Sequence, residues 1–437
     1  MWPDQNTQSY ALTERARRVF AGGSTRLLAW LDPYPIYLSR GEGAYVHDVD
    51  GNPYFDLTNN FASLIHGHAH PRIVAAVTER VAQGTCFTLP TPADVELAEL
   101  LLQRLEGADK IRFLNSGTEA VMMAIRAARA YTGRPMIAKV EGAYHGMYDH
   151  AEISLDSNPD TWGQTPKSVS YSHGTPEAVL ADTLILPFND VEGAEAALKE
   201  HADRLAGVLI DPVPATCGMI PATPEYLAML RRLCDELGAV LIFDEVVSFR
   251  YGYQGAQGVF GGDPDLTTIA KIIGGGFPVG AIAGKAEVMA VFDHSHGKPL
   301  APASGTFSAN PVSMVAGKAS MEMLDPEAFA HLQRLGDHAR DVIGQAIRDS
   351  GFVGQVTGVG SNFLIHPHVR HITDYRSAWR APAEHKRMKA LHHGMLKQGV
   401  FMAGTGSGFI STVTATKDLD HFGAALAKVM ADLTRLH

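Results

Sequence analysis

Short apolar runs alternate with helical patterns through the middle of the chain. The runs predicted as strands are β-prone and bounded by turn-forming residues; they are Lys110–Leu114, Met136–Val140, Leu184–Leu186, Gly207–Ile210, Val240–Phe243, Leu266–Ala270 and Gly280–Ala283. Helical spacing of apolar residues separates several of them, at Glu119–Tyr131, Val191–His201 and Pro224–Leu237. This alternation is typical of a mostly parallel sheet with helices on both faces.

The two ends of the chain carry a different pattern. Residues 36–57 alternate like a β-meander around a turn at Asp50-Gly51-Asn52-Pro53. A long helix is predicted to begin near Asn310-Pro311, where it leads the chain away from the sheet. The remainder, residues 327–437, reads as helix, strands and helix, which is typical of a smaller α+β unit.

The length of the chain favours more than one domain. At 437 residues it exceeds the usual size of a single hydrophobic core. We therefore predict an α/β fold with a large domain at residues 58–320. A small domain is expected to combine residues 1–57 with residues 321–437.

Composition limits the classes of partner. A hydrophobic content of 46% describes an ordinary globular protein, and a net charge of −10 argues against nucleic acid or an anionic membrane as a partner. Three cysteines are too few for a disulfide framework and fit a reducing compartment. The sequence begins without a basic and apolar leader, and no apolar run reaches the ~20 residues of a membrane helix. We expect a cytoplasmic protein that binds neither nucleic acid nor membrane.

Two strand ends carry candidate catalytic residues. Lys271 follows the strand Leu266–Ala270 and precedes the glycines 274–276, while Asp244 follows Val240–Phe243. A lysine held at such a position loses solvent, which lowers its pKa and makes its amine a nucleophile toward aldehydes. An aspartate at a neighbouring strand end can pair with the ring nitrogen of pyridoxal phosphate. Taken alone, Lys271 is more simply a solvated loop lysine and Asp244 a strand cap, and it is the segments described next that favour the catalytic interpretation.

Two segments rich in glycine and hydroxyl groups are candidate anion sites. Ser116, Gly117 and Thr118 follow a predicted strand and open a predicted helix, where free N–H groups can bind phosphate. The same residues also suit a plain helix cap. The segment 304–311, which contains Thr306, precedes the next long helix. It offers a second set of groups that could bind a phosphate.

An aromatic residue and an imidazole stand together between glycines at residues 142–146. Tyr144 can stack on a planar ring, and His145 can donate a hydrogen bond near it. A loop tyrosine packed on the core is the alternative. The alternating histidines at residues 66–70 are more typical of a turn than of a ligand set, and we predict no metal site.

Together these segments resemble the class III aminotransferases. They stand in the family's order and rough spacing: Ser116–Ala120, Tyr144–Gly146, Asp244–Val246, Lys271–Gly276 and Gly305–Phe307. The resemblance runs from about Arg26 to the C-terminus and is strongest to the branch of glutamate-1-semialdehyde aminomutase and the β-amino-acid transaminases. It implies a pyridoxal-phosphate-dependent transferase fold of the aspartate aminotransferase type.

The resemblance also implies roles around the cofactor ring. Lys271 is similar to the Schiff-base lysine that moves the substrate proton. Asp244 resembles the partner of the pyridine nitrogen. Tyr144 and Val246 resemble the two faces of a sandwich around the ring.

At the cofactor phosphate, the resemblance implies a homodimer. Ser116, Gly117 and Thr118 are similar to the phosphate cradle of one subunit. Thr306 resembles a phosphate ligand that the family supplies from the other subunit. The active sites are therefore expected at the subunit interface.

Three positions depart from the family pattern. Asp211-Pro212 stands where Glu-Pro is usual, and Thr216 stands where aminomutases carry an asparagine near the cofactor phenol oxygen. The segment 404–408 lacks the carboxylate of the aminomutase substrate loop, which argues against an aminomutase. It also lacks the second arginine of the β-amino-acid transaminases.

Arg26 resembles the arginine that binds the substrate carboxylate in β-amino-acid transaminases, although it equally suits a surface position. We therefore expect an aminotransferase that moves an amino group from a β-amino acid or other ω-amino compound to pyruvate or 2-oxoglutarate. The alternatives are a glutamate-1-semialdehyde-type aminomutase and a racemase or epimerase on the same scaffold. A pyridoxal phosphate sensor without activity is the non-enzyme alternative.

Overall fold

The computed structural model describes residues 2–435. Strands and helices are numbered in chain order. The strands are β1 (Leu38–Glu42), β2 (Tyr45–Asp48), β3 (Pro53–Asp56), β4 (Lys110–Leu114), β5 (Met136–Val140), β6 (Thr183–Leu186), β7 (Leu205–Ile210), β8 (Val240–Asp244), β9 (Leu266–Ala270), β10 (Gly280–Gly284), β11 (Gln355–Thr357), β12 (Asn362–His366), β13 (Val400–Phe401) and β14 (Ser407–Phe409). The α-helices are α1 (Gln8–Ala16), α2 (Asn59–Ala62), α3 (Pro71–Gln83), α4 (Pro92–Leu102), α5 (Gly117–Thr132), α6 (Asp149–Glu152), α7 (Glu177–Ala181), α8 (Val191–Glu200), α9 (Pro224–Leu237), α10 (Gly255–Phe260), α11 (Ala286–Met289), α12 (Pro311–Glu322), α13 (Pro326–Ser350), α14 (Tyr375–Ala378), α15 (Pro382–Lys397) and α16 (Thr416–Arg435).

A seven-stranded sheet has the order β4-β10-β9-β8-β7-β5-β6. Neighbouring strands from β9 to β6 are parallel, and β10 runs antiparallel to both of its neighbours. The predicted α/β fold with a mostly parallel sheet is confirmed. All seven predicted strands are present, and β7 begins two residues earlier than predicted.

The apolar side chains of β8 alternate between two cores. Val240 and Ile242 belong to a core that includes residues of α5, whereas Leu241 and Phe243 belong to a core that includes residues of α9. Both faces of the strand are therefore covered, which explains why it carries an unbroken apolar run. Helices on the two faces leave the carboxyl ends of the strands as the edge where ligands bind in such sheets.

The described chain forms two compact units. Unit 1 contains residues 2–71, 331–369 and 380–435, and unit 2 contains residues 72–330 and 370–379. Unit 1 holds the sheet β1-β2-β3-β13 and the sheet β11-β12-β14. The domain boundaries expected at residues 57 and 320 stay a prediction. No helix within residues 2–435 is long and apolar enough to cross a membrane.

The segment 370–379 joins unit 2 from the C-terminal part of the chain. Arg376 Nε lies 2.7 Å from Oε2 of Glu141, which directly follows β5, and Arg376 Nη2 lies 3.2 Å from Oε1. The hydroxyl of Tyr375 donates to the carbonyl of Ser157 at 2.7 Å. A Cβ on Gly142 would lie 1.9 Å from the Tyr375 ring, so this close contact requires glycine.

Candidate active site

Four loops at the carboxyl edge of the large sheet meet around Gly117, the first residue of α5. A Cβ at Gly117 would lie 2.9 Å from Val246 Cγ1 and 3.5 Å from the Cβ of Ala270, which immediately precedes Lys271. The hydroxyl of Thr118 accepts a hydrogen bond from the backbone N–H of Met147 at 3.3 Å. The structure thus brings together the loops that follow β4, β5, β8 and β9.

Asp244, at the end of β8, is buried and hydrogen-bonded on both carboxyl oxygens. His145 Nδ1 lies 2.8 Å from Oδ2, and Oδ1 accepts from the Val246 N–H at 3.1 Å and the Thr268 hydroxyl at 3.0 Å. Burial lowers the pKa of His145, although the hydrogen bond to Asp244 acts in the opposite direction. These partners fix the direction of the Asp244 carboxyl group.

Lys271 begins a short 3-10 segment directly after β9 and has a φ of 51°. Non-glycine residues rarely adopt this left-handed backbone, which costs about 1–3 kcal/mol and is concentrated at functional sites. Burial lowers the pKa of the Lys271 amine, while Asp244 and Asp211 act to raise it. The amine is therefore more readily deprotonated than that of a solvated lysine.

The N-terminus of α5 is capped by Ser116 and stays a candidate anion site. The Ser116 hydroxyl accepts a hydrogen bond from the Glu119 N–H at 3.2 Å, as the plain cap alternative required. The first N–H groups of this 16-residue helix and its dipole still favour a negative group at the same end. The Tyr144 side chain is 51% exposed, so it is not packed into the core.

Asp211 follows β7, and the parallel register of β7 with β8 places it beside the end of β8. It is buried, and its Oδ1 accepts from the Val213 N–H at 2.9 Å. Burial, reinforced by Asp244, raises the pKa of Asp211 to about 7. A carboxyl group that is readily kept neutral therefore lies next to Asp244.

The two remaining predicted residues lie elsewhere. Thr306 is exposed in the turn that precedes α12, and its carbonyl accepts a weak hydrogen bond from the Cys86 thiol at 3.9 Å. Arg26 is exposed in unit 1, where its Nη2 donates to Oδ1 of Asn60 at 3.0 Å.

Sequence reasoning missed two contacts of Asp244. His145 was expected beside the cofactor ring, and its contact through Nδ1 with the Asp244 carboxyl group was not predicted. Thr268 was not singled out, although the register that pairs it with Asp244 across β8 and β9 could have identified it. A threonine in a fully buried strand indicates a nearby polar group, because its hydroxyl requires a hydrogen-bond partner.

The described residues fit pyridoxal phosphate. Asp244 is buried, and no lysine or arginine nitrogen within residues 2–435 lies within salt-bridge distance of it, so a protonated ring nitrogen would supply a cation it lacks. The N-terminus of α5 can receive a phosphate, and the absence of a side chain at Gly117 leaves room beside Val246. Lys271 offers an amine of lowered pKa. Fold and site together define a pyridoxal-phosphate-dependent enzyme.

Comparison with known proteins identifies the family. Residues 29–426 match the family model described as aminotransferase class-III, so the chain belongs to the class III aminotransferases. The resemblance expected from the motifs, the fold, the enzyme class and the cofactor are thereby confirmed.

Three relatives illustrate the range of the family. A glutamate-1-semialdehyde 2,1-aminomutase of Aeropyrum pernix is 41% identical over 96% of this chain and 95% of its own. The structure of an omega-transaminase from Sphaerobacter thermophilus is 47% identical, with a TM-score of 0.96 and coverage of 99% of both chains. A beta-phenylalanine aminotransferase from Variovorax paradoxus is 32% identical, with a TM-score of 0.89 and coverage of 99% of this chain and 96% of that chain.

Proposed function

We propose that the enzyme transfers an amino group from a β-amino acid or another ω-amino compound to pyruvate or 2-oxoglutarate. The similarity to an omega-transaminase at 47% identity and to a beta-phenylalanine aminotransferase at 32% identity supports this donor class. The absence of a carboxylate from residues 404–408 supports transfer between two different substrates rather than isomerisation of one.

Lys271 would act on the reacting carbon, and Asp244 and His145 would support the cofactor ring. Bound pyridoxal phosphate supplies an electron sink for the electron pair released when a proton leaves the carbon that bears the amine. Lys271 would hold the cofactor through Nζ and then, as a free amine, accept that proton and deliver it to the cofactor carbon that receives the amino group. Asp244 would keep the ring nitrogen protonated, and His145 would hold the Asp244 carboxyl group in place.

Other residues would bind and orient the cofactor. Tyr144 and Val246 would pack on the two faces of its ring, and the N–H groups of Ser116, Gly117 and Thr118 would bind its phosphate. In the proposed homodimer, Thr306 would complete the phosphate site of the neighbouring subunit. Within residues 2–435 the Thr306 hydroxyl makes no hydrogen bond, which leaves it available for that contact. The expected cytoplasmic location stays a prediction.

Within the chain, the observation that carries the proposal of a carboxylated donor is the exposed guanidinium of Arg26. Its guanidinium has an amide oxygen and an aromatic ring as partners and forms no ion pair with a carboxylate among the described residues. An exposed guanidinium with neutral partners can bind a substrate carboxylate through two parallel hydrogen bonds.

A donor panel tests the proposal. We expect the enzyme to consume β-amino acids in the presence of either keto acid, and the Arg26→Ala variant to lose about tenfold or more in kcat/KM for carboxylated donors while retaining activity on simple amines. Arg18→Ala, which removes another exposed arginine of the N-terminal segment, is the control. The keto product and the near-ultraviolet-to-visible absorbance of the bound cofactor are measured. Equal losses on both kinds of donor would remove Arg26 from the carboxylate role.

An aminomutase is the second candidate, because curated relatives at 36–41% identity carry that name. It would isomerise a single amino aldehyde without any added keto acid. The same panel separates the two functions, since turnover that requires no keto acid identifies the aminomutase.

A further inference from the structure

The four residues of α2, between β3 and α3, form a left-handed turn and not a right-handed helix. Asn59, Asn60, Phe61 and Ala62 have φ values of 44°, 49°, 54° and 73°, although none of them is glycine. Each such residue costs roughly 1–2 kcal/mol, with asparagine the most tolerant. A short turn of this kind persists because surrounding contacts enforce it.

Contacts on the core side enforce the turn. Asp56 Oδ1 accepts hydrogen bonds from the Thr58 N–H at 2.7 Å and the Asn59 N–H at 3.1 Å. Asn59 and Ala62 are buried, whereas Asn60 is exposed and Phe61 is partly exposed. The turn therefore fixes two residues inside unit 1 and presents the two between them outward.

The two presented residues hold Arg26. Its Nη2 donates to Asn60 Oδ1 at 3.0 Å, and its guanidinium carbon lies 5.5 Å from the centre of the Phe61 ring. The orientation of the Asn60 amide is fixed as well, because its Nδ2 donates to the Ser63 hydroxyl at 3.0 Å. The amide oxygen therefore faces Arg26, and the amide nitrogen faces away.

The same turn is bonded to the C-terminal segment that the sequence singled out. Asn59 Nδ2 donates to the carbonyl of Phe409 at 2.5 Å, and the Phe409 N–H donates to the carbonyl of Leu57 at 2.7 Å. Phe409 ends β14, directly after residues 404–408. One strained turn thus contacts both Arg26 and the end of the segment 404–408.

We propose that Asn60 is a positioning residue that aims the Arg26 guanidinium at the substrate carboxylate, and that the left-handed turn sets this aim. The inference rests on the proposed function and deepens it. Because an amide orients the guanidinium without neutralising it, Arg26 keeps a full positive charge for the ligand. Arg26 has five N–H donors and uses one of them on Asn60, so others stay available for a planar carboxylate.

Substitutions of Asn60 separate charge, hydrogen bonding and strain. Asn60→Asp keeps an acceptor and tolerance of the left-handed backbone but adds a negative charge that competes with the ligand. Asn60→Gly keeps the backbone and removes the amide. Asn60→Ala removes the amide and adds backbone strain. We therefore expect this variant to unfold at a lower temperature than Asn60→Gly. Asn6→Gly, at an exposed asparagine of the N-terminal segment, is the matched control.

The experiment measures binding of 3-phenylpropanoate, a carboxylate without an amine, to each holoenzyme by calorimetry, together with KM and kcat for carboxylated and simple amines. We expect Asn60→Asp to weaken carboxylate binding by about tenfold or more and Asn60→Gly by about tenfold, with similar changes in KM for carboxylated donors and little change in kcat. Simple amines should be unaffected.

Three outcomes would contradict the inference, and they are distinguishable. If Arg26→Ala weakens 3-phenylpropanoate binding but Asn60→Asp and Asn60→Gly do not, Asn60 has no positioning role while the proposed function stands. If Arg26→Ala itself leaves binding unchanged, the carboxylate role of Arg26 fails and the inference fails with it. Loss of kcat on all amines alike in Asn60→Gly would indicate a general structural role instead.

Discussion

Asp211 is a buried carboxyl group whose protonation affects the stability of the whole protein. Its pKa is raised from 3.8 to about 7, chiefly by burial. A group whose folded-state pKa is raised stabilises the folded protein while it is protonated. This contribution is complete below the unfolded pKa and is lost as the pH rises through the folded pKa.

We therefore predict that Asp211→Asn increases the free energy of unfolding by an amount that depends on pH. Asparagine stays neutral, and its oxygen can still accept from the Val213 N–H. The free energy of unfolding of the variant should exceed that of the parent by more at about pH 8 than at about pH 5, with the difference growing by up to a few kcal/mol across this window. Denaturant unfolding at both pH values measures this, with the exposed Asp203→Asn as control. A difference independent of pH would show that Asp211 ionises freely in the folded protein.

The N-terminus of α5 allows a test at the scale of an element. A Cβ at Gly117 would lie 2.9 Å from Val246 Cγ1 and 3.0 Å from Cγ2, closer than real Cβ contacts. We predict that Gly117→Ala displaces Val246 or the first turn of α5, and that bound cofactor dissociates about tenfold or more faster.

The measurement is the loss of cofactor absorbance from the purified holoenzyme during dialysis. Gly344→Ala on α13 is the matched control, because a Cβ there would meet the flexible end of Arg348 at 3.4 Å. That change should leave cofactor release unaltered and stabilise the helix by up to about 1 kcal/mol. Equal release from both variants would show that the phosphate end of the site tolerates the added methyl group.

Elements of the large sheet could be predicted because local signals agree with the global structure there. The apolar run of β8 and the turn residues around it specify the strand without reference to partners. The contacts of Asp244 with His145 and Thr268 were harder to predict than the strands themselves. They depend on strand register and on a loop conformation that no local periodicity encodes.

The left-handed turn at residues 59–62 was even harder to predict from the sequence. Asparagine at positions 59 and 60 indicates a turn, but Phe61 and Ala62 have no intrinsic preference for positive φ. Their conformation follows from tertiary contacts, such as that of Asn59 with Phe409, whose partner lies 350 residues away in the sequence. Sequence patterns therefore singled out Arg26 as a candidate and gave no sign of its contact with Asn60.

At the scale of the whole molecule, the proposed dimer predicts that two defective chains complement each other when activity is measured at a limiting concentration of cofactor. Lys271→Ala should abolish transfer, and Thr306→Ala should weaken cofactor binding about tenfold or more if Thr306 binds the phosphate. A mixed dimer of the two variants has one site with Lys271 from one chain and Thr306 from the other. Such dimers, purified through two different tags, should regain about half of the parental activity.

A chain that carries both substitutions, mixed with parental chains, provides the comparison. In that mixed dimer neither site is complete, so activity should stay well below that of the complementing pair. If Thr306 acts within its own subunit, the mixed dimer with the parental chain should be the more active of the two. The parental chain then retains an intact site.

The contacts within unit 2 can be completed only after the segment 370–379 has been synthesised. When residues 72–330 have been made, Glu141 is still without Arg376, and the space beside Gly142 still lacks the ring of Tyr375. A buried carboxylate without its cation is strongly destabilising, so the unit that carries Lys271 gains its last internal ion pair after most of the chain has been made. A chain truncated before residue 375 would therefore lack the ion pair and the aromatic ring that pack against the loop after β5.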